Sequence, residues 1–575
     1  MKSMIGAVLA MAALLGLPAD AKDAQQKSPR LVAKGYQATA VVKGTRLRGS
    51  NGMNFDDEGR LLVGHLLSSQ VSRINVDTGE IEILFDHERG VRGPDDLTTD
   101  GKGTIWTSNM TGLGGESVFR MDKDGKVSAI YSGILATNGI QYNRRTGRLF
   151  VDQAFVGGGI YELDPKGEKP ARLVSSEFPL TNSMDFDLDN NLIVVVSGGN
   201  PGVRVINPDT GKSSTLGIDI PRFGAVKVGR NGDIFATGGN AVYKVTADRK
   251  QVITLFKGEA YFDNLAVSPE GRVFAASMID ATIYEIATDG SGTIKQMLSP
   301  KGLPNISSLA ALGNDVYLAD THVLRKINLQ TGELTSMVGL STGKGSGDTG
   351  FLVGYVHEGP GGLLYAINSI GFPVASLNAL PVYTVDPNTL DIRKITRNPF
   401  QGLHLPTAIY ANHSDAFIYA TEFIDGKIEA IPVNDDQIKR KTVATNLSGP
   451  NGIVKKGDKL YVAESLGQRI SVIDLTNGRQ DVLLSGGVGR PSAIDMDKDG
   501  NLLVLDSEGR RLLKINPDNA AMSVIADNLP IYPNIFANWP VVQVPNGLAV
   551  TADGAIYVGG NTDGSVWKFT SAKAR

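Results

Sequence analysis

The chain has 575 residues, 41% of them hydrophobic and 20% charged, with a formal net charge of −3. That length exceeds one ordinary core, so two or more are expected, and a balance this near neutral without a Lys/Arg run excludes the electrostatic footprint of a nucleic-acid binder. The absence of cysteine removes disulfides, thiolate metal sites and thiol nucleophiles together.

At the N-terminus, Lys2 precedes an apolar run from Met4 to Leu17, and Pro18-Ala19-Asp20-Ala21 ends in a small-residue cleavage pattern. Residues 1–21 therefore read as a signal peptide, too short for a membrane anchor, and the mature protein is expected in a periplasm or secreted, with no membrane span after cleavage. Residues 22–35 read as a linker. The strand-like segment Tyr36 to Val42 is expected to complete the last blade of its own ring by covering an open sheet edge.

From Asn51 onward one pattern recurs twelve times, roughly every 43 residues: a polar residue, a small residue, an alternating apolar stretch, an Asp/Gly turn and a second apolar strand. Ser50-Asn51-Gly52-Met53 leading to Asp57-Glu58-Gly59 is a clear copy, as is Pro450-Asn451-Gly452-Ile453 leading to Asp458-Lys459-Leu460. Period-two alternation marks strands, and the Asp-Gly and Asn-Gly turns supply the positive φ of tight hairpins. Four short strands fit each repeat, which predicts an all-β chain of propeller blades.

The blades open near Asn51, Asp95, Asn138, Asn182, Gly224 and Asp263, then near Ser307, Val353, Thr407, Asn451, Ser492 and Asn546. Twelve blades in one ring being unusual, the reading is two tandem six-bladed propellers over 36–300 and 301–575, with a seven-plus-five split as its rival. Three inserts interrupt the second series, Gly339 to Gly350, Asn368 to Leu380 and Leu529 to Pro540. They are functional loops or the contact between the propellers.

Several motif matches carry no chemistry. Gly339-Leu340-Ser341-Thr342-Gly343 copies a hydrolase elbow, yet Lys344-Gly345-Ser346-Gly347 is a poor helix start. Asp495 to Asp506 resembles an EF-hand loop but coincides with a blade hairpin. His357-Glu358 runs into Gly359-Pro360, which cannot continue a helix.

In a propeller the opening residue of each innermost strand points into the mouth of the tunnel. The first series then presents Asn51, Asp95, Asn138, Asn182 and Asp263 around one point, with Asp96 and Asn264 beside two of them. Such mixed carboxylate and amide oxygens suit calcium, whereas the second series offers no carboxylate at its openings. The same side chains also serve simply to bridge neighbouring blades by hydrogen bonds, the preferred reading for Asn451 and Asn546.

Thr137-Asn138-Gly139-Ile140 followed by Leu149-Phe150-Val151-Asp152 resembles the blade motif of the senescence marker protein and gluconolactonase family, a motif shared with NHL-like propellers, and Phe262-Asp263-Asn264-Leu265 is similar to that of the paraoxonases. The resemblance implies a divalent metal, commonly calcium, at the tunnel mouth and hydrolysis of lactones or related esters. Asn138 and Asn182 stand where the family has two asparagine ligands. The first blade lacks the family's glutamate, and the fifth has Gly224 in place of its aspartate.

The resulting expectation is a metal-dependent lactonase acting on a small molecule. Asp263, Asn138 and Asn182 ligate the ion, Asp95 acts as general base or further ligand with Asp96 as alternate, and Asn51, Asn264, Trp106 and Arg222 contact substrate. Two rivals stand beside it. One is a propeller lyase resembling the streptogramin lyases, for which His404 is the nearest candidate histidine; the other is a non-enzymatic binding double propeller.

Overall fold

A computed structural model describes residues 28–571 apart from 111–114, 155–157, 198–200, 217–223, 259, 278–280, 299–302, 304–305, 321–322, 340–353, 368–381, 395–405, 412–416, 424, 433–439 and 533–546. The proposed signal peptide, Arg222, Val353, His404, Asn546 and nearly all of the three inserts lie outside the described residues. Among the described residues the chain is all β, with twelve antiparallel sheets and two short 3-10 turns at 66–68 and 360–362. The first sheet takes Ser50–Phe55, Leu61–His65, Gln70–Ile74 and Ile81–Phe85 in chain order, and the next nine repeat this meander.

The hairpins form for the reason their composition predicts. Asp56 Oδ1 accepts the backbone N–H of Glu58 at 3.0 Å and of Arg60 at 2.9 Å, while Gly59 takes a φ of +74°. Asp497 does the same for Asp499 and Asn501 at 3.0 and 2.8 Å, so the EF-hand-like stretch is a hairpin and its last residue, Asp506, pairs with Arg511.

The N-terminal strand corrects the expected domain boundary. Tyr36–Val42 pairs with Val566–Ser571, from Tyr36↔Ser571 to Val42↔Val566, and Arg30–Leu31 pairs with Asp527 and Ala526. Both therefore belong to the C-terminal sheets and not to the first series. The twelfth sheet gets only three strands from the C-terminal sequence, and the early strand supplies the fourth that covers its edge.

Adjacent blades bury their apolar faces against each other. Met53, Phe55, Leu61 and Val63 of the first sheet pack with Ala266, Phe274 and Ala276 of the sixth. Likewise, Leu309, Val316 and Leu318 of the seventh pack with Ala549, Tyr557 and Val566 of the twelfth. Strand 50–55 accordingly lies beside both 94–99 and 262–267, and strand 308–312 beside both 355–359 and 548–550. Each buried large aliphatic side chain contributes about 1.5–3 kcal/mol, so the blade-to-blade seams supply much of the stability.

A bulge recurs near the start of many inner strands, as between Pro94 and Leu97, Thr137 and Ile140, and Pro450 and Gly452. It lifts the opening residue off the ladder and re-aims its side chain. The freed N–H groups are met from the second strand: Asp96 N donates to Ser108 Oγ at 3.0 Å, Gly139 N to Asp152 Oδ1 at 2.8 Å and Ala225 N to Thr237 Oγ1 at 2.9 Å.

The small residue after each opening has a steric cause. A Cβ on Gly52 would stand 2.4 Å from Asp96 Cα, and one on Gly139 2.8 Å from Ser183 Cα, because the next blade's inner strand crosses there. Gly52→Ala is therefore expected to destabilise the protein by about 2 kcal/mol or more and to displace Asp95 and Asp96. Thermal denaturation measures the first effect; a midpoint equal to that of the parent overturns it.

The two series touch through mouth-side loops. Arg48, 1% exposed, donates from Nη2 to the Asn561 carbonyl beside Asp563, and Thr45 N donates to Asp563 O at 2.8 Å. Tyr532, at the start of the third insert, packs its ring on His87 at 4.6 Å. The described end of that insert thus serves as a contact between series.

Candidate functional site at the first tunnel mouth

The bulges deliver the opening residues of the first series into a hydrogen-bonded relay. Asn264 Nδ2 donates to Asn51 Oδ1 at 3.4 Å, and Asn51 Nδ2 donates to Asp95 Oδ1 at 3.0 Å. On the other side, Asn138 Nδ2 donates to Asn182 Oδ1 at 2.9 Å and Asn182 Nδ2 to the Gly224 carbonyl at 2.9 Å. Asn182 also stabilises the Asp263 carboxylate through its amide. The four hydrogen bonds each cross from one blade to the next, so they stitch the blades and fix the side chains at once.

Carboxylates outnumber the cations here. Burial, then the charges of Asp263, Asp96 and Asp152, pushes Asp95 well above the usual carboxylate range. Burial and Asp96 push Asp263 up to about 6, against the Asn182 amide. Asp152 is raised well above its ordinary value by burial, opposed by the Gly139 N–H, and its Oδ2 is buried without a hydrogen-bond partner. Asp152 stands where other blades use Ser108 or Thr237, so its negative charge was hidden from a reading of openings alone.

The structure places two further expected site residues in buried surroundings. Trp106 is buried in the seam between the second and third blades, stacked on Tyr142 at 4.8 Å, with Nε1 donating to the Pro165 carbonyl at 2.9 Å. It faces Thr98 across the ladder, past the opening end of the strand, and is core. Asp96 is fully buried; its Oδ1 accepts Leu97 N at 2.8 Å and its Oδ2 accepts Ile140 N at 3.4 Å. Those bonds engage both of its carboxylate oxygens with backbone N–H groups.

Among the described residues no three His, Cys, Asp or Glu side chains are grouped to share an ion. A cation at this mouth therefore has to draw on amide and backbone oxygens beside one or two carboxylates. Asn138, Asn182 and the Gly224 carbonyl, adjacent through the relay, and the Asp263 carboxylate, which the Asn182 amide stabilises, are donors of that kind, and they suit calcium better than zinc.

The second series is not free of buried acid. Glu464 and Asp506, both fully buried at the ends of second strands, pair with Arg469 and Arg511 and accept loop N–H groups, Ser448 N on Glu464 and Arg490 N on Asp506 at 3.0 Å. Sequence reasoning passed over this Glu/Asp-x4-Arg spacing, visible in Glu464 to Arg469 and Asp506 to Arg511. Asp495, half-buried on an inner strand, is raised to about 7 by burial.

Residues 20–213 match the profile of the SMP-30/gluconolactonase/LRE-like region, so the resemblance read from the blade motifs holds for that part of the chain. A gluconolactonase of Zymomonas mobilis is 23% identical over 188 residues, 28% of this chain and 52% of that protein. The chain thus spans about half the length of the curated relative it matches. Among solved structures, a gluconolactonase of Xanthomonas campestris aligns at 14% identity and a TM-score of 0.37, over 46% of this chain and 95% of that one. A virginiamycin B lyase of Staphylococcus aureus aligns at 15% identity and a TM-score of 0.30, over 60% and 93%. At these scores the structural likenesses carry no argument about chemistry.

Proposed function

We propose that the protein is an exported, calcium-dependent hydrolase of lactones or related carboxylic esters, built as two six-bladed propellers with its site at the first mouth. The six-and-six division is supported by the neighbours of strands 50–55 and 308–312, each of which meets the inner strand of the sixth blade of its own series. The observation that carries the reading is the relay through Asn138, Asn182 and the Gly224 carbonyl beside an excess of buried carboxylate, with Asp95, Asn138 and Asn182 inside the segment that matches a gluconolactonase-like profile and Asp263 beyond it.

Asp263, Asn138 and Asn182 hold the ion, which supplies Lewis acidity toward a substrate carbonyl when bound. Asp95 accepts the proton of the attacking water. Burial and the neighbouring carboxylates raise its affinity for protons, which strengthens it as a base once ionised, and the Asn51 amide fixes the orientation of its Oδ1. Asn264 holds Asn51 in turn, which makes it a positioning residue.

The test is purification with calcium, metal analysis, and pH-stat assay on a panel of lactones before and after chelation. Ring opening that incorporates oxygen from labelled water and is lost on chelation is the expected result. An unsaturated product without incorporated oxygen identifies a lyase instead, and no turnover with no bound metal overturns the reading.

A further inference from the structure

Beneath the mouth lies a group that the proposed chemistry does not use. Lys227 sits on Val226–Val228, the inner strand of the fifth blade. It is 4% exposed, and its Nζ has no hydrogen-bond partner. Its ion-pair contact is Asp96 Oδ2 at 3.9 Å. Asp96 belongs to the second blade, three blades away in a series of six, so the lysine reaches across the tunnel.

On the way it passes Asp185 of the fourth blade, whose carboxylate accepts Gln141 Nε2 at 2.8 Å, Phe186 N at 2.8 Å and Val228 N at 2.7 Å. Lys227 favours the charged form of both Asp96 and Asp185 against the burial that raises them. The charged groups facing this depth of the tunnel are Asp96, Asp185 and Lys227, with Asp95, Asp152 and Asp263 above or beside them. Burying a carboxylate without a countercharge costs several kcal/mol. An ammonium that makes no hydrogen bond of its own acts here as a point charge and not as half of a tight pair.

We propose that Lys227 is a built-in cation occupying the first tunnel below the mouth, where it replaces a dissociable metal ion. This goes beyond the hydrolase reading and does not depend on it. With the lysine removed, Asp96, Asp185 and the Gln141 amide oxygen remain as hard oxygen donors, the ligand type calcium takes.

The experiment counts calcium equivalents and thermal midpoints, in chelator and in millimolar calcium, for the parent, Lys227→Met and Lys227→Arg, each also in an Asp263→Ala background. Lys227→Met is expected to bind one more calcium than its parent in both backgrounds. In chelator it should lose about 5–10 °C, recovered largely by calcium, while Lys227→Arg keeps the parental count. An unchanged calcium count, or a loss that calcium does not relieve, overturns the proposal. If Lys227→Met yields no folded protein, Lys227→Gln is expressed with and without calcium; folding only with calcium supports the proposal, and failure in both overturns it. Unchanged hydrolysis in Asp263→Ala counts against the hydrolase reading alone.

Discussion

Asp263→Ala is expected to lower lactone hydrolysis by about 10²–10³-fold and to abolish calcium uptake at the first mouth. Asp263 is the charged member of the three proposed ligands, and the other two are amides already engaged with each other and with the Gly224 carbonyl. Removing the carboxylate leaves donors too weak to retain a divalent ion in water. The fold should survive, because the neighbouring Asn264 keeps its bond to Asn51 and the strand keeps its ladder from Phe262 to Val267. Asp263→Asn sharpens the test: it preserves shape and removes charge, so it should lose metal and activity together while its circular dichroism stays parental. Retained metal with retained turnover places the site elsewhere.

In chelator, the difference in thermal midpoint between the parent and Asp263→Asn is expected to shift against the parent as pH rises from about 4 toward 7, because the amide stands in for the protonated carboxyl. Asp263, raised to about 6, and Asp95 and Asp152, raised well above the ordinary value, keep their protons in the folded chain after the unfolded chain has released them. Their contribution is fully present below the unfolded carboxylate pKa and is lost as pH rises through the folded value. For Asp263 alone the loss amounts to at most about 3 kcal/mol. Carboxylates held low act in the opposite sense: Glu162, kept charged by Arg148 and Arg172, contributes above its unfolded pKa and loses that contribution as pH falls. His65 and His87, lowered by burial to about 3 and about 4, also act in that opposite sense, so the Asp263 contribution is isolated by comparing variants at each pH. Calcium, which binds the charged carboxylates, should reduce this shift between pH 5 and 7; a parent-to-Asp263→Asn difference that does not change with pH in chelator refutes the assignment of Asp263 as a raised group.

Much of the architecture was legible along the chain because a blade is a local object. Asp56 to Gly59 makes its turn from its own side chain and its own positive φ, and the alternation of Met53 and Phe55 states which face is buried. Asn138 and Asn182 could be picked out for the same reason, since the bulge that aims them is set by a repeat unit that recurs with small residues at fixed places. The relay they form joins residues 44 apart, one repeat period, so even that contact was implicit in the spacing.

Other features depended on which strand meets which. Tyr36–Val42 reads as a strand wherever it lies, yet only the three-stranded edge of the C-terminal sheet decides that it belongs there and not to the first series. Trp106 looked like a rim aromatic in sequence, but the seam between two blades claimed it because its ring can stack on Tyr142 and its N–H can reach the Pro165 carbonyl. Lys227 gave no signal at all, being one lysine in an alternating strand; its meaning arises from Asp96, 131 positions away in the sequence, arriving 3.9 Å from its ammonium. The chain alone determined the all-β repeat, its turns and the polar openings, since these are set by neighbours a few residues apart. Tertiary structure alone decided the sheet of the first strands, the fate of Trp106 and Asp96, and the charge balance beneath the mouth, because electrostatic and packing energies depend on distances through space that a repeat period does not encode.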